Sequence, residues 1–242
     1  MIRAAIFDID NTLYNFDHAN LCAMETVREY CRRSFGLEEP RFQEYYQKAW
    51  DIAAKRVGSD TAAIHNRLIR FQCMMELLKQ PIFPHAKALS CGYWEAVLAH
   101  AIPFPGIAEL FQNLKENQIR IGIGTDMTAY IQYRKLEVLG LSSYIDMVVT
   151  SEEAGVEKPH PKFFGLCVEK AGCLAEECVF IGDSIKKDVN GAIAAGLQGI
   201  WYTMGREPEE ALSFPYIRSF EEYKDFDWIT KGLEEYDAIH RI

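Results

Sequence analysis

The sequence predicts an α/β protein: a doubly wound parallel sheet, interrupted directly after its first strand by a helical-bundle insertion. Three observations carry that prediction. An apolar run, Ala4 to Phe7, reads as a short buried strand with no partner nearby in the chain. From about Asp17 to Ala101 the residues read as helix after helix, with no strand between them. From Pro103 onward apolar strands alternate with helices, the pattern of a parallel sheet covered on both faces. The first strand finds its partners only in that later sheet. The expected division is therefore an α/β core, 1–15 and 103–242, and a helical domain, 16–102.

Each element has a local reason. Asp17 can cap a helix that carries Leu21, Met24, Val27 and Cys31 on one stripe and ends at Gly36. Pro40 opens a second helix with Tyr45, Trp50 and Ile52, which stops near Gly58. A third starts near Asp60 with Ile64, Leu68, Phe71, Met75 and Leu78 as its apolar face. After the breaks at Pro81 and Pro84, a fourth carries Leu89, Tyr93, Val97 and Leu98. In the core, helices at 107–117, 130–139, 163–171 and 189–195 alternate with strands at 119–124, 145–149, 178–181 and 197–202. Residues 203–242 are less legible, with short helices expected over 207–211 and 219–223 and an acidic, solvated tail.

Composition narrows the function. The net charge is −9, from 26 basic and 35 acidic residues, and there is no basic block, which argues against nucleic acid or an acidic membrane surface as partner. No apolar run reaches the roughly 18 residues of a membrane span, and the N-terminus lacks a secretory pattern. The expectation is a cytoplasmic protein, monomer or homodimer. The seven cysteines (22, 31, 73, 91, 167, 173 and 178) include no C-x-x-C pair or zinc spacing and read as reduced, mostly buried thiols.

Chemistry collects at the carboxyl ends of the strands, where ligands of such sheets bind. Asp8 and Asp10 follow the first strand, and their i, i+2 spacing aims both carboxylates the same way. Two acids held together cost Coulomb repulsion that a cation could offset. Thr125-Asp126 follows the second strand, and Gly182-Asp183-Ser184 follows the fourth, with Asp188 five residues beyond Asp183. Lys158-Pro159-His160-Pro161 places a stiffened lysine at the entry to a helix. Alone, each is an ordinary turn, helix cap or surface lysine.

Together and in this order they resemble the four signature motifs of the haloacid dehalogenase superfamily. Asp8-Ile9-Asp10-Asn11-Thr12 is similar to the first, Thr125 to the second, Lys158 to the third, and Gly182-Asp183-Ser184 with Asp188 to the fourth. The helical insertion looks like the family's cap between motifs one and two. By this resemblance Asp8 attacks phosphorus to form an aspartyl-phosphate, and Asp10 protonates the leaving oxygen and later activates water. Thr125, Asp126 and Lys158 bind the phosphate. Mg²⁺ is held by the Asp8 and Asp183 carboxylates and the Asp10 backbone carbonyl. Thr12, Ser184 and Asp188 stand behind these, Asp188 orienting Lys158 or a metal-bound water. The metal-independent dehalogenases of the family lack an acid at the position of Asp10, so the resemblance implies phosphoryl transfer.

Two departures matter. His160 stands where the third motif usually carries an acid and reads as an exposed substitution, and Asp126 reads as a cap on the helix after it. Leu13-Tyr14-Asn15-Phe16-Asp17 resembles the nucleotidase-like branch. In the cap, His18, His65, Arg67 and Arg70 are candidates to face substrate, the two arginines reading better as a solvated or intra-cap face. The expected partner is a small phosphorylated metabolite: a nucleoside monophosphate, a sugar phosphate or phosphoglycolate. Three rivals remain. A phosphomutase shares every core motif; a metal-dependent glycosyltransferase would explain Asp8 and Asp10 but not Lys158 or Asp183; a binding protein on this scaffold would be expected to have lost a motif.

Overall fold

The computed structural model describes residues 1–208 and 212–221. The chain divides into two compact units, Met1–Asn15 with Ile102–Ile242, and Phe16–Ala101. In chain order, β1 (Ala4–Phe7) leads into the helical unit, built from α1 (Phe16–Phe35), α2 (Arg41–Val57), α3 (Arg67–Leu78) and α4 (His85–Ala99). The other unit resumes with α5 (Ile107–Glu116), β2 (Arg120–Thr125), α6 (Ala129–Val138), β3 (Met147–Thr150) and the single turn α7 (Ser151–Ala154). It continues through α8 (Pro161–Ala171), β4 (Cys178–Gly182), a π-helical turn (Ile185–Val189), α9 (Asn190–Ala194), β5 (Gln198–Tyr202) and β6 (Tyr216–Ile217). No helix among the described residues is long and apolar enough to cross a membrane.

The six strands form one sheet in the order β3-β2-β1-β4-β5-β6, every pair parallel. Strands buried on both faces should read as continuous apolar runs, and Ala4-Ala5-Ile6-Phe7 is fully enclosed. The strand order reverses between β1 and β4, and a sheet of this kind opens its ligand crevice at that switch point. Register fixes what meets there. Phe7 pairs with Ile123 on one side and Ile181 on the other, so Asp8 emerges beside Gly124 and Gly182. Both glycines answer to close packing. A Cβ on Gly124 would lie 2.6 Å from the Phe180 ring, and one on Gly182 would lie 2.4 Å from the Asp188 carboxylate.

In the helical unit, α1 buries Ala19, Ala23, Met24, Val27 and Cys31, while Leu21 is 62% exposed. Met24, Val27 and Cys31 of the predicted stripe are thus buried, while Leu21 departs from it and the small Ala19 and Ala23 complete the seam. The third predicted helix is in fact broken. A 3-10 turn (Ala62–His65) ends at Asn66, whose side chain accepts from the Leu68 and Ile69 amides and starts α3 afresh. That new phase exposes Leu68 and buries Arg67 and Arg70, so the arginines are intra-unit and not solvated. Gly58, at φ 86°, ends α2 in a conformation that favours glycine.

The two-residue β6 was not predicted. Residues 207–208 and 219–221 are not helical, and the rest of the two expected C-terminal helices and the acidic tail lie outside the described residues.

Candidate active site

Strand β1 delivers the first acids. The Asp8 amide continues the ladder by donating to the Ile181 carbonyl at 2.9 Å, and its side chain stands at the strand mouth, 8% exposed. The chain then turns tightly. The Thr12 and Leu13 amides donate to Ile9 O, with Asn11 at φ 59°, a left-handed position that asparagine tolerates. The turn carries Tyr14 back toward Asp10, where its hydroxyl donates to Asp10 Oδ1 at 2.8 Å. Thr12 is fully buried beneath.

Strand β2 ends in Thr125, also buried. Its hydroxyl donates to Asp126 O at 3.2 Å and accepts from Gln132 Nε2 at 2.6 Å. The Asp126 carboxylate accepts from the Lys158 amide at 3.0 Å and pairs with Lys187 at 2.8 Å. Asp126 is therefore no cap on α6, whose preceding residue, Thr128, makes no side-chain cap either. An acid spent in this way has its side chain committed to Lys158 and Lys187, away from the phosphate-binding part expected of it. Its work is to anchor the backbone that presents Lys158, with Lys187 bridging onward to Glu157 at 3.4 Å.

Lys158 is the cation beside Asp8 and Asp188. Its side chain is 2% exposed, and Nζ lies 3.0 Å from Asp8 Oδ1, 2.7 Å from Asp188 Oδ1 and 3.3 Å from the Gly124 carbonyl. His160 is exposed and caps α8, accepting from the Lys162 amide at 3.2 Å. Strand β4 supplies the remaining acids. Asp188 folds back over Gly182 from the π-helical turn and accepts from the Ser184 amide at 2.9 Å, while Ser184 Oγ accepts from the Lys187 amide at 3.2 Å. Asp8, Asp183 and Asp188 each bring one carboxylate oxygen within 4.8 Å of the others.

Such crowding must show in the electrostatics. Burial pushes the Asp8 carboxyl up to about 8, Lys158 opposing and Asp188, Asp183 and Asp10 reinforcing. Burial and Asp188 lift Asp183 to about 6 against the pull of Lys158. Burial disfavours the Lys158 ammonium too, but Asp188, Asp8 and Asp126 outweigh it and hold the lysine well above its usual value. Asp8 Oδ1 and Asp188 Oδ1 remain buried without a well-directed hydrogen bond, although both sit at ion-pair distance from Lys158. No cysteine is disulfide-bonded, and burial drives Cys31 and Cys167 to about 12, where they are poor nucleophiles.

Two residues escaped the sequence reading. Gln132 and Lys135 lie on α6, three apart and fully buried. Gln132 holds Thr125, and Lys135 Nζ reaches both Asp10 oxygens at 2.6 and 2.7 Å. The immediate partners of Asp10 are thus a cation and a phenol. The available signal was weak: polar residues at i and i+3 ordinarily mark a solvated helix face.

The strand order and this cluster of acids around a buried lysine at the switch point are those of a hydrolase of the haloacid dehalogenase class. The sequence matches the family described as haloacid dehalogenase-like hydrolase over residues 2–196, and the chain belongs to that family. It is 36% identical over 211 residues to a ribulose-1,5-bisphosphate 5-phosphatase of Halopiger xanaduensis, covering 86% of this chain and 88% of the relative. It is 31% identical over 244 residues to a glyceraldehyde 3-phosphate phosphatase of Methanopyrus kandleri, covering 100% and 99%. The crystal structure of a 2-haloacid dehalogenase from Pseudomonas syringae pv. Tomato DC3000 superposes with a TM-score of 0.74 at 22% identity, covering 92% of this chain and 96% of that one. That likeness is one of fold.

Proposed function

We propose that this enzyme is a Mg²⁺-dependent phosphatase that hydrolyses a small phosphate monoester through an aspartyl-phosphate on Asp8. The observation that carries the reading is the triad of carboxylates beside Lys158, Asp8 and Asp188 buried and Asp183 half-buried, with two carboxylate oxygens lacking a directed hydrogen bond. Hard carboxylate oxygens at this spacing suit Mg²⁺, which takes oxygen ligands. Asp8 and Asp183 would hold it, with the Asp10 backbone carbonyl. When bound, the ion neutralises charge on the phosphoryl group and lets an anionic nucleophile approach.

The remaining steps belong to the chain itself. An Asp8 oxygen forms a bond to phosphorus as the ester P–O bond breaks, and Asp10 gives its proton to the departing alkoxide. Water then attacks the acyl-phosphate, Asp10 recovers a proton from it, and phosphate and the Asp8 carboxylate are restored. Thr125 Oγ, the Asp126 amide and Lys158 Nζ hold the phosphoryl oxygens, and Asp188 keeps Lys158 in place. The helical unit, inserted after β1, corresponds to the family's cap-type insertion.

The names of the two relatives favour short sugar phosphates as the first substrates to try. The test is phosphate release from a panel of sugar phosphates, nucleoside monophosphates and phosphoglycolate, with Mg²⁺ and with a chelator. Release only with Mg²⁺ supports the reading. Release undiminished by the chelator overturns the metal, and no release from any ester overturns the phosphatase.

A further inference from the structure

We propose that Lys135 is a positioning residue for proton transfer: by gripping both oxygens of Asp10 it locks the plane of the carboxylate that exchanges the proton with the leaving group and with water, while Tyr14 occupies Oδ1 and leaves Oδ2 to the exchange. This rests on the phosphatase reading above.

Lysine is almost never fully buried unless paired, yet Lys135 is 0% exposed. Nζ meets Asp10 Oδ1 at 2.6 Å and Oδ2 at 2.7 Å, with Met127 Sδ at 3.7 Å and the face of the Tyr14 ring 5.9 Å away. Such a pair is a poor device for stability, since well-packed apolar side chains of similar volume commonly serve as well or better. The geometry suits orientation. One ammonium against both oxygens locks the rotation of the carboxylate plane, a freedom that a single hydrogen bond would leave. Tyr14 then adds its hydroxyl at 2.8 Å to Oδ1 alone.

Oδ1 therefore carries two of the three contacts, and Oδ2 keeps the greater capacity for a further partner. Proton exchange with the departing alkoxide and with the attacking water would pass through Oδ2. No proton is gained or lost over the cycle. Gln132, one turn earlier on α6, holds the Thr125 hydroxyl, so a single helix face backs both the phosphate-binding hydroxyl and the proton-transfer acid.

The test separates positioning from structure by the leaving group. An alkyl phosphate departs as a strongly basic alkoxide and needs the proton, whereas p-nitrophenyl phosphate departs as a stable phenolate and does not. In holoenzyme with saturating Mg²⁺, Lys135→Met is expected to lower kcat/KM for the alkyl ester on the order of 100-fold, the scale of a lost general acid. For p-nitrophenyl phosphate the change should stay within about threefold. Tyr14→Phe, a milder change, should lean the same way and serves as the readout if Lys135→Met does not fold. In an Asp10→Asn background Lys135→Met should cost nothing more, because a residue acting through Asp10 has nothing left to position. Equal losses on both esters in a folded variant, or full additivity with Asp10→Asn, would overturn the inference while leaving the phosphatase intact. A parent protein that hydrolyses neither ester overturns the phosphatase reading, and this inference falls with it.

Discussion

The Lys158 ammonium lies 2.7 Å from the Asp188 carboxylate, and both side chains are shut away from solvent, at 2% and 1% exposure. Removing one partner of a buried pair costs about 3–5 kcal/mol, because the other charge is left uncompensated. Lys158 retains Asp8 at 3.0 Å, so Asp188→Asn should sit at the low end of that range. Asparagine also cannot hold the ammonium in place, and phosphate release is expected to fall about 100-fold, the scale of one lost electrostatic contact. Urea unfolding with chelator present and a rate assay check the two halves separately. A variant as stable and as active as the parent would deny the pair its role.

Asp8→Asn is expected to abolish turnover without weakening the fold. Burial and the surrounding acids lift Asp8 to about 8, so ionising it is costly in the metal-free protein. A neutral amide of the same shape relieves that cost, and Lys158 still has Asp188. Thermal melts with chelator near pH 8 should show the variant at least as stable as the parent, beside activity reduced to about 1% or less of the parent rate. Retention of more than a few per cent of activity would remove Asp8 as the nucleophile.

What the sequence made legible here follows from physics. Parallel strands are buried on both faces, so β1, β2 and β4 stand out as apolar runs, and the acids at their ends are visible as the residues that break them. The buried helix faces were harder. On α1 the predicted Met24, Val27 and Cys31 are buried, but Ala19 and Ala23, whose small side chains carry little hydrophobic signal, complete the seam while Leu21 is exposed. Asn66 resets the phase of α3, which no periodicity predicts and which turns Arg67 and Arg70 inward. Gln132 and Lys135 have the pattern of a wet surface and become interior only because Thr125 and Asp10 lie against them. Two-residue β6 is too short to leave a pattern.

The stabilising effect of Mg²⁺ should grow with pH. Asp183 is lifted to about 6 and Asp8 to about 8, both above the unfolded value of about 3.9. The folded protein therefore holds protons that the unfolded chain has released. Their contribution to stability is full below the unfolded value and is lost as pH rises through about 6 and then about 8. Binding Mg²⁺ requires both carboxylates deprotonated, so the ion competes with protons at low pH and meets bare, repelling charges at high pH. The rise in melting temperature on adding Mg²⁺ is expected to be larger near pH 8.5 than near pH 5.5. A rise independent of pH would mean that the ion binds elsewhere.

Arg70 decides between two uses of the helical unit. It is 5% exposed, its guanidinium stacks 3.9 Å over the Trp50 ring, and it donates to the Tyr46 hydroxyl at 2.8 Å and the Ile64 carbonyl at 3.3 Å. Burial and the charge of nearby Arg67 draw its pKa down to about 10, the mark of a cation held by rings and neutral oxygens. A planar fork can stack and donate in two directions at once, which an ammonium cannot do. Arg70→Lys should therefore cost about 1–2 kcal/mol in chemical unfolding, the sum of a weakened stacking contact and one lost hydrogen bond. KM for the best phosphate ester should stay within about twofold, because the binding of substrate is untouched. The opposite result, unchanged stability with KM raised about tenfold or more, would make Arg70 a substrate-reading residue and the aromatic ring beneath it part of the binding surface.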